Sequence, residues 1–204
     1  MIVVFEGLDN CGKTTLTTLL EKYYNSRGIS VEISKEMQTP VGETLKSMIV
    51  SKDVDPILKS FLFAADRYYR MRNKTYEQEV IYIFDRYVPS AVAYREAEGI
   101  DSNWIKEINK IFPNPDLCFL IDITPDESIK RNIETKFNIK YSKEFLSKVR
   151  TSYENYSSEY NMVKIDGMQN IEDIMSFIIL EIDKRMNQTQ SVKLDGQKIK
   201  IKEV

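Results

Sequence analysis

The stretch FEGLDNCGKTT, residues 5–15, decides how the rest of the chain is read. Gly7, Gly12, Lys13 and Thr14 match G-x-x-x-x-G-K-[ST], a loop whose backbone N–H groups curl around phosphate oxygens. Ahead of it, MIVVFEG (1–7) is a short apolar run ended by glycine, the pattern of a strand buried on both faces. Behind it, apolar residues recur at Leu16, Leu19, Leu20 and Tyr23, one helical face that Gly28 ends. Strand, phosphate loop, helix is therefore the predicted order, and the positive end of the helix adds to the pull on an anion. Gly7, Asn10, Cys11, Gly12, Lys13, Thr14 and Thr15 form the predicted ATP-binding loop. In it Lys13 reaches the β and γ oxygens and the Thr14 hydroxyl holds Mg²⁺.

Working outward, strands and helices alternate. SVEIS (30–34), VIYIFDR (80–86), DLCFLID (116–122) and MVKID (162–166) read as further strands. The intervening helices fall at 41–50, 57–79, 102–112, after Thr124 and over 142–160 and 170–186. Thr124 caps its helix, with Pro125 at the first helical position and Glu127 closing a capping box. Five strand-like runs separated by helices predict an α/β fold, a parallel sheet covered on both faces as in a three-layer P-loop NTPase. Residues 1–186 form the predicted domain. After Met186 the register changes, and SVKLDGQKIKIKEV alternates around Asp195-Gly196, which favours an edge hairpin in the 187–204 tail.

Composition narrows the chemistry. The 204 residues suffice for one domain with a substantial core, and the net charge of −2 gives no general pull toward nucleic acid or a membrane surface. An apolar run of the ~18 residues that a span needs is missing, and the N-terminus lacks the basic region of a signal peptide. With two cysteines, Cys11 and Cys118, there is no disulfide framework, and a cytoplasmic location is expected. Histidine is absent, which excludes a Ser-His-Asp triad. A regulatory GTPase needs N-K-x-D to read guanine; the Asn-Lys here is NKTY (73–76), with tyrosine in place of aspartate. What remains is a small-molecule kinase.

Three clusters point to the acceptor. In FLFAADRYYR (61–70), Phe63 and Arg67 lie four apart on one helical face, a ring for stacking and a guanidinium for a phosphate. In IFDRYVPSAVAY (83–94), Asp85 ends a buried strand, where ligands collect in open α/β sheets. There it is placed to serve Mg²⁺ or the acceptor, and Arg86 to bring positive charge between donor and acceptor phosphates. The segment 130–143 carries Lys130, Arg131, Lys136, Lys140 and Lys143, a basic lid over the triphosphate.

Together these stretches resemble the thymidylate kinase family. FEGLDNCGKTT looks like the family's opening motif, FLFAADRY its helix motif, DRYVPSAVAY its Asp-Arg-Tyr segment, and FLSKVRTSYENY the helix after its lid. The resemblance runs from residue 2 to about 180. It implies transfer of the γ-phosphoryl of ATP to dTMP with Mg²⁺ held near Thr14 and Asp85, small-molecule nucleotides as partners, and a homodimer. It implies that Asp9 accepts from the deoxyribose 3′-hydroxyl, that Phe63 stacks on thymine, and that Arg67 and Arg86 hold the acceptor phosphate. Ser90, Tyr94 and Tyr153 then line the base and sugar pocket, and Glu36 belongs to a pair after the second strand. Asn10-Cys11 offers no cation inside the loop, so the resemblance assigns that charge to Arg131 of the lid, with Lys136 next. Relatives place Asn or Gln where this chain has Ala91 and Arg95. A kinase for another deoxynucleotide or a deoxynucleoside, or a nucleotide-binding protein without turnover, stays open at this point.

Overall fold

The computed structural model describes residues 1–77, 79–132 and 140–191. Its centre is a five-stranded, all-parallel sheet in the order β2-β3-β1-β4-β5, formed by β1 (Ile2–Glu6), β2 (Val31–Lys35), β3 (Ile81–Asp85), β4 (Leu117–Asp122) and β5 (Met162–Asp166). Every residue of β1 and β3 is buried, as continuous apolar runs require when helices cover both faces. Phe5 of β1 and Phe119 of β4 meet with ring centroids 5.4 Å apart. From β1 the chain winds first toward β2 and β3, then to β4 and β5 on the other side. The carboxyl end of β1 is therefore where the winding reverses, the position of the ligand crevice in such sheets.

The register sets the site. Asp85 stands beside Phe5 on one side and Lys35 on the other, so the ends of β1, β2 and β3 deliver their next residues to one rim. Eight helices surround the sheet among the described residues: α1 (Lys13–Asn25), α2 (Pro40–Ser51), α3 (Pro56–Met71), α4 (Val88–Ala97), α5 (Ser102–Asn109), α6 (Pro125–Lys130), α7 (Lys143–Tyr156) and α8 (Ile171–Ser191). Ile174, Ile178 and Ile182, four apart, turn one face of α8 to the core, and Tyr24 of α1 donates to Asp183 at 2.9 Å.

Several sequence expectations are corrected. The helix expected over 57–79 stops at Met71. Beyond it Lys74 pairs with Glu32, and Tyr76 packs edge-on against Tyr82, centroids 4.7 Å apart, which ties the chain to the start of β3. No helix is foreseen between residues 87 and 101, yet α4 lies there, with proline at its start where a missing N–H costs nothing. Thr124 does cap α6, accepting from the Glu127 N–H at 3.2 Å, but the Glu127 carboxylate turns to Arg131 instead of closing a capping box. The last helix continues to Ser191, five residues past Met186. The hairpin expected around Asp195-Gly196 lies outside the described residues.

Candidate active site

The phosphate loop is shaped by two glycines. Gly7 has φ +137°, and a Cβ there would sit 2.4 Å from the Ile121 carbonyl oxygen and 2.8 Å from Cys11 Sγ. Gly12 caps α1 at φ 103°, also in the left-handed region that favours glycine. Lys13 folds back over the loop, its ammonium donating to the carbonyls of Leu8 (2.7 Å) and Gly7 (3.2 Å). Thr14 donates to Asp85 Oδ2 at 2.6 Å. Cys11 is buried behind the loop, and Thr15 is exposed on the first turn of α1.

In front of this loop lies a cavity of about 390 Å³, a volume suited to a small-molecule ligand. The loop side supplies Asp9, Asn10, Lys13 and Thr14; the strand ends supply Lys35, Glu36, Met37, Gln38, Asp85 and Arg86. Helices contribute Lys46, Phe63, Ser90, Ala91, Tyr94 and Arg95, and Tyr141 closes the rim ahead of α7. Of the five described non-glycine residues with positive φ, three line this cavity: Asn10 (61°), Met37 (60°) and Arg86 (72°). Such conformations cost about 1–2 kcal/mol each and gather at functional sites.

Arg86 is the hub. Its Nη2 donates to Asp9 Oδ1 (2.7 Å) and to the Tyr94 hydroxyl (3.0 Å); its Nη1 donates to the Gly7 carbonyl (3.1 Å) and Ser90 Oγ (3.1 Å) and, more weakly, to Tyr153 (3.4 Å). Tyr94 in turn donates to Asp9 Oδ2 at 2.7 Å. Burial alone would push the Asp9 pKa up, but the charges of Arg86 and Lys13 outweigh it and hold Asp9 below its ordinary value. Burial likewise works against the Arg86 charge, and Tyr94, Asp9 and Tyr153 around it more than restore it.

Behind Arg86 sits Glu6, fully buried at the end of β1. It accepts from the N–H groups of Tyr87 (2.9 Å) and Ser90 (3.3 Å), from the Tyr153 hydroxyl (3.0 Å), and from Ser90 Oγ. Ser90 and Tyr153 thus receive from Arg86 and donate to Glu6, a buried ion pair relayed through two hydroxyls. Burial pushes the Glu6 pKa up, with Ser90 and Arg86 opposing it.

Most of the residues singled out from sequence converge on the cavity: Asp9, Asn10, Lys13, Thr14, Glu36, Phe63, Asp85, Arg86, Ser90 and Tyr94. Three do not. Arg67 has no exposed side-chain surface; it donates to Asn109 (2.6 Å), Glu36 (3.0 Å) and the Tyr87 carbonyl (3.0 Å), beneath the cavity floor. Tyr153 stands behind Ser90 rather than at the surface of the cavity. Arg131 turns away to Glu127 (2.7 Å) and the Gly167 carbonyl (3.1 Å). Lys136 lies outside the described residues.

Sequence reasoning missed Glu6, Asp66 and Tyr141. Asp66, fully buried, accepts from Met37 N–H (3.1 Å) and Thr39 Oγ1 (2.6 Å) and pairs with Arg70 (3.3 Å), so it moors the segment that carries Met37 and Gln38. Its place beside Arg67 in FAADR was the available signal. Tyr141 stacks on Phe145 at 4.6 Å, an i,i+4 aromatic pair legible in YSKEF.

A family described as Thymidylate kinase matches residues 5–178. Among curated proteins, one from Sulfolobus acidocaldarius, named "Probable thymidylate kinase", is 36% identical over 178 residues, covering 85% of this chain and 92% of the relative. A protein of the same name from Sulfurisphaera tokodaii is 34% identical over 174 residues, covering 84% and 90%. Another from Thermococcus kodakarensis is 30% identical over 199 residues, covering 90% and 97%.

Proposed function

The chain belongs to the thymidylate kinase family, and from that membership and the chemistry of its cavity we propose that it transfers the γ-phosphoryl group of ATP to dTMP, releasing ADP and dTDP. The observation that carries this reading is a single cavity with a phosphate-loop lysine at one side and Asp9, Arg86, Phe63 and Tyr94 at the other. One loop, residues 7–14, serves both substrates: Lys13 the triphosphate, Asp9 the acceptor sugar.

A phosphate oxygen of dTMP attacks the γ-phosphorus; the new P–O bond forms as the bond to the β–γ bridging oxygen breaks, and its electron pair leaves with ADP. The acceptor is already an anion, so no strong base is required, and positioning plus charge neutralisation carry the rate. Lys13 and Arg86 supply that charge from this chain, and Arg131 is the candidate for a third cation. Arg86 and Ser90 orient the acceptor phosphate, Tyr94 and Asp9 the sugar, and Phe63 the base. Arg67 acts through Glu36 and the floor, and Tyr153 through Ser90 and Arg86. A hydroxyl and a carboxylate side by side, Thr14 and Asp85, are hard oxygen donors of the kind that hold Mg²⁺ alongside substrate phosphates. When bound there, Mg²⁺ neutralises charge on the phosphates.

The setting follows the same reading. Residues 1–186 are the catalytic unit. Ile57, Phe61 and Tyr68 are each about half exposed along one outward face of α3, which suits an isologous helix-to-helix homodimer. Cys11 and Cys118 are free and buried, in keeping with a reducing cytoplasm. Among the described residues no helix is long and apolar enough to cross a membrane.

An ADP-release assay over a panel of nucleosides and monophosphates tests the reading. ADP formed with dTMP supports it. ADP formed with thymidine in place of dTMP makes the protein a nucleoside kinase, and no ADP with any member of the panel makes it a nucleotide binder without transfer.

A further inference from the structure

Residues 9 and 10 of the phosphate loop are fastened to α6 by two reciprocal bonds. Ser128 Oγ donates to the Asp9 carbonyl at 2.7 Å, and Asn10 Nδ2 donates to the Ser128 carbonyl at 3.1 Å. Ser128 is buried, so its bond is made away from solvent, while Asn10 is exposed and lines the cavity.

Each bond answers a local need. The last carbonyls of a helix lack donors within the helix. At the end of α6 the Asn132 N–H goes to the Ile129 carbonyl at 3.1 Å, and the Asn10 side chain supplies the donor for Ser128. Arg131 follows directly, as the residue that caps α6. On the loop side, Asn10 holds φ 61°, a left-handed conformation that asparagine tolerates better than most side chains. In a trans peptide the C=O and N–H point opposite ways. Drawing the Asp9 carbonyl to Ser128 therefore turns the Asn10 N–H away from α6. A left-handed residue in such a loop lets successive N–H groups converge on an anion.

We propose that Asn10 and Ser128 are positioning residues for the donor triphosphate. Ser128 fixes the peptide between residues 9 and 10 that the phosphates meet, and Asn10 fixes the end of α6 and with it Arg131. The inference rests on the loop of residues 7–14 being the ATP site. Asn10 brings no charge of its own; it acts through the backbone it shapes and the cation it places. The two bonds can be removed one at a time. N10G deletes the amide and suits the left-handed conformation, and S128A deletes the hydroxyl but leaves the carbonyl that Asn10 uses.

The test measures ATP binding by calorimetry without acceptor, and kcat and both KM values by ADP release, on the wild type, N10G and S128A. Each variant is expected to bind ATP roughly 3–10-fold more weakly, the worth of one hydrogen bond, with the KM for dTMP nearly unchanged. In N10G kcat falls as well, because Arg131 is no longer held. Should S128A fail to fold, N10G is read alone, since its side chain is exposed. Variants that melt lower yet keep wild-type ATP affinity and kcat, or that weaken ATP and dTMP by the same factor, reduce the pair to a structural fastening and overturn the inference. Weakened ATP binding in the variants of a protein that forms no ADP with dTMP supports the pair while refuting the kinase reading; ADP formed with unchanged ATP constants does the reverse.

Discussion

Replacing Glu6 by alanine is expected to cost the fold about 3–5 kcal/mol, assembled from losses at one buried point. The backbone N–H groups of Tyr87 and Ser90 both end on Glu6 Oε1 in a region without solvent. Orphaning two buried donors costs about 1–3 kcal/mol each. The hydroxyls of Ser90 and Tyr153, 2.8 Å apart, recover part of their loss by bonding to each other. Arg86 loses the buried negative charge that Ser90 and Tyr153 relay to it. Against a typical total of about 5–15 kcal/mol, E6A stays folded but its urea midpoint drops by roughly 1–2 M at an m-value near 2–3 kcal/mol/M. E6Q is milder, about 1–2 kcal/mol, because its carbonyl still accepts both backbone donors while its amide crowds hydroxyls already served by Arg86. Its kcat is expected to fall more than its ATP affinity, since Arg86 loosens and the loop does not. An E6A midpoint within error of the wild type, or equal losses in E6A and E6Q, would refute the reasoning.

The charge adds a check with a definite sign. Burial raises the Glu6 pKa in the fold above its ordinary value of 4.5. A raised folded pKa means the stability Glu6 contributes is full below 4.5 and declines as pH rises through the folded value. E6Q lacks that decline, so its deficit relative to the wild type narrows from pH 4 toward neutrality. A deficit that widens with pH would mean that the fold favours the carboxylate, against the burial argument.

Three further outcomes follow from the site. K13A is expected to lose roughly 10²–10³-fold in kcat with an unchanged melting profile, and near-wild-type turnover would remove Lys13 from the reaction. G42A puts a Cβ 2.4 Å from the Met37 Cα and 2.5 Å from Asp66 Oδ1, so it should cost about 1–3 kcal/mol and raise the acceptor KM through the displaced Met37 segment; a neutral G42A would show that this segment yields freely. R67M should destabilise by about 2–4 kcal/mol because Asn109 and the Tyr87 carbonyl lose a buried charged donor and Glu36 loses its ion-pair partner, whereas a stable R67M with only a raised dTMP KM would return Arg67 to the acceptor phosphate.

The fold was legible because its signals are local. Strand runs flanked by glycine, the phosphate loop and helical spacing each live within about ten residues, and the five strands stand where those runs placed them. Helix ends were less legible. Residues 72–77 suit a helix well enough, but Tyr76 finds Tyr82 and Lys74 finds Glu32, partners a helix would carry away from the sheet. Among the residues singled out from sequence, those adjoining a strand end reach the cavity because the sheet itself delivers them to the rim, as with Asp85 and Arg86. Arg67 shares a helix with Phe63, but only the packing of α3 on α5 tells that Asn109 waits beneath it.

What the sequence hid has a common form. Three segments of the cavity wall are each backed by a buried or nearly buried acid: Arg86 and Ser90 by Glu6, Met37 and Thr39 by Asp66, Arg95 by Glu98. Two of those segments contain residues in left-handed conformation, Arg86 and Met37, which persist only where the surroundings over-determine them. A carboxylate accepts several bonds at once, so one acid fixes a backbone N–H and a side chain together, as Glu6 and Asp66 both do. Nothing in spacing or periodicity separates such an acid from a solvated one, since its partners come from other elements. Lys13 and Arg86, two of the cations that line the cavity, were readable from motif; the acids behind its wall become readable only once the sheet has brought β1, α3 and α4 together.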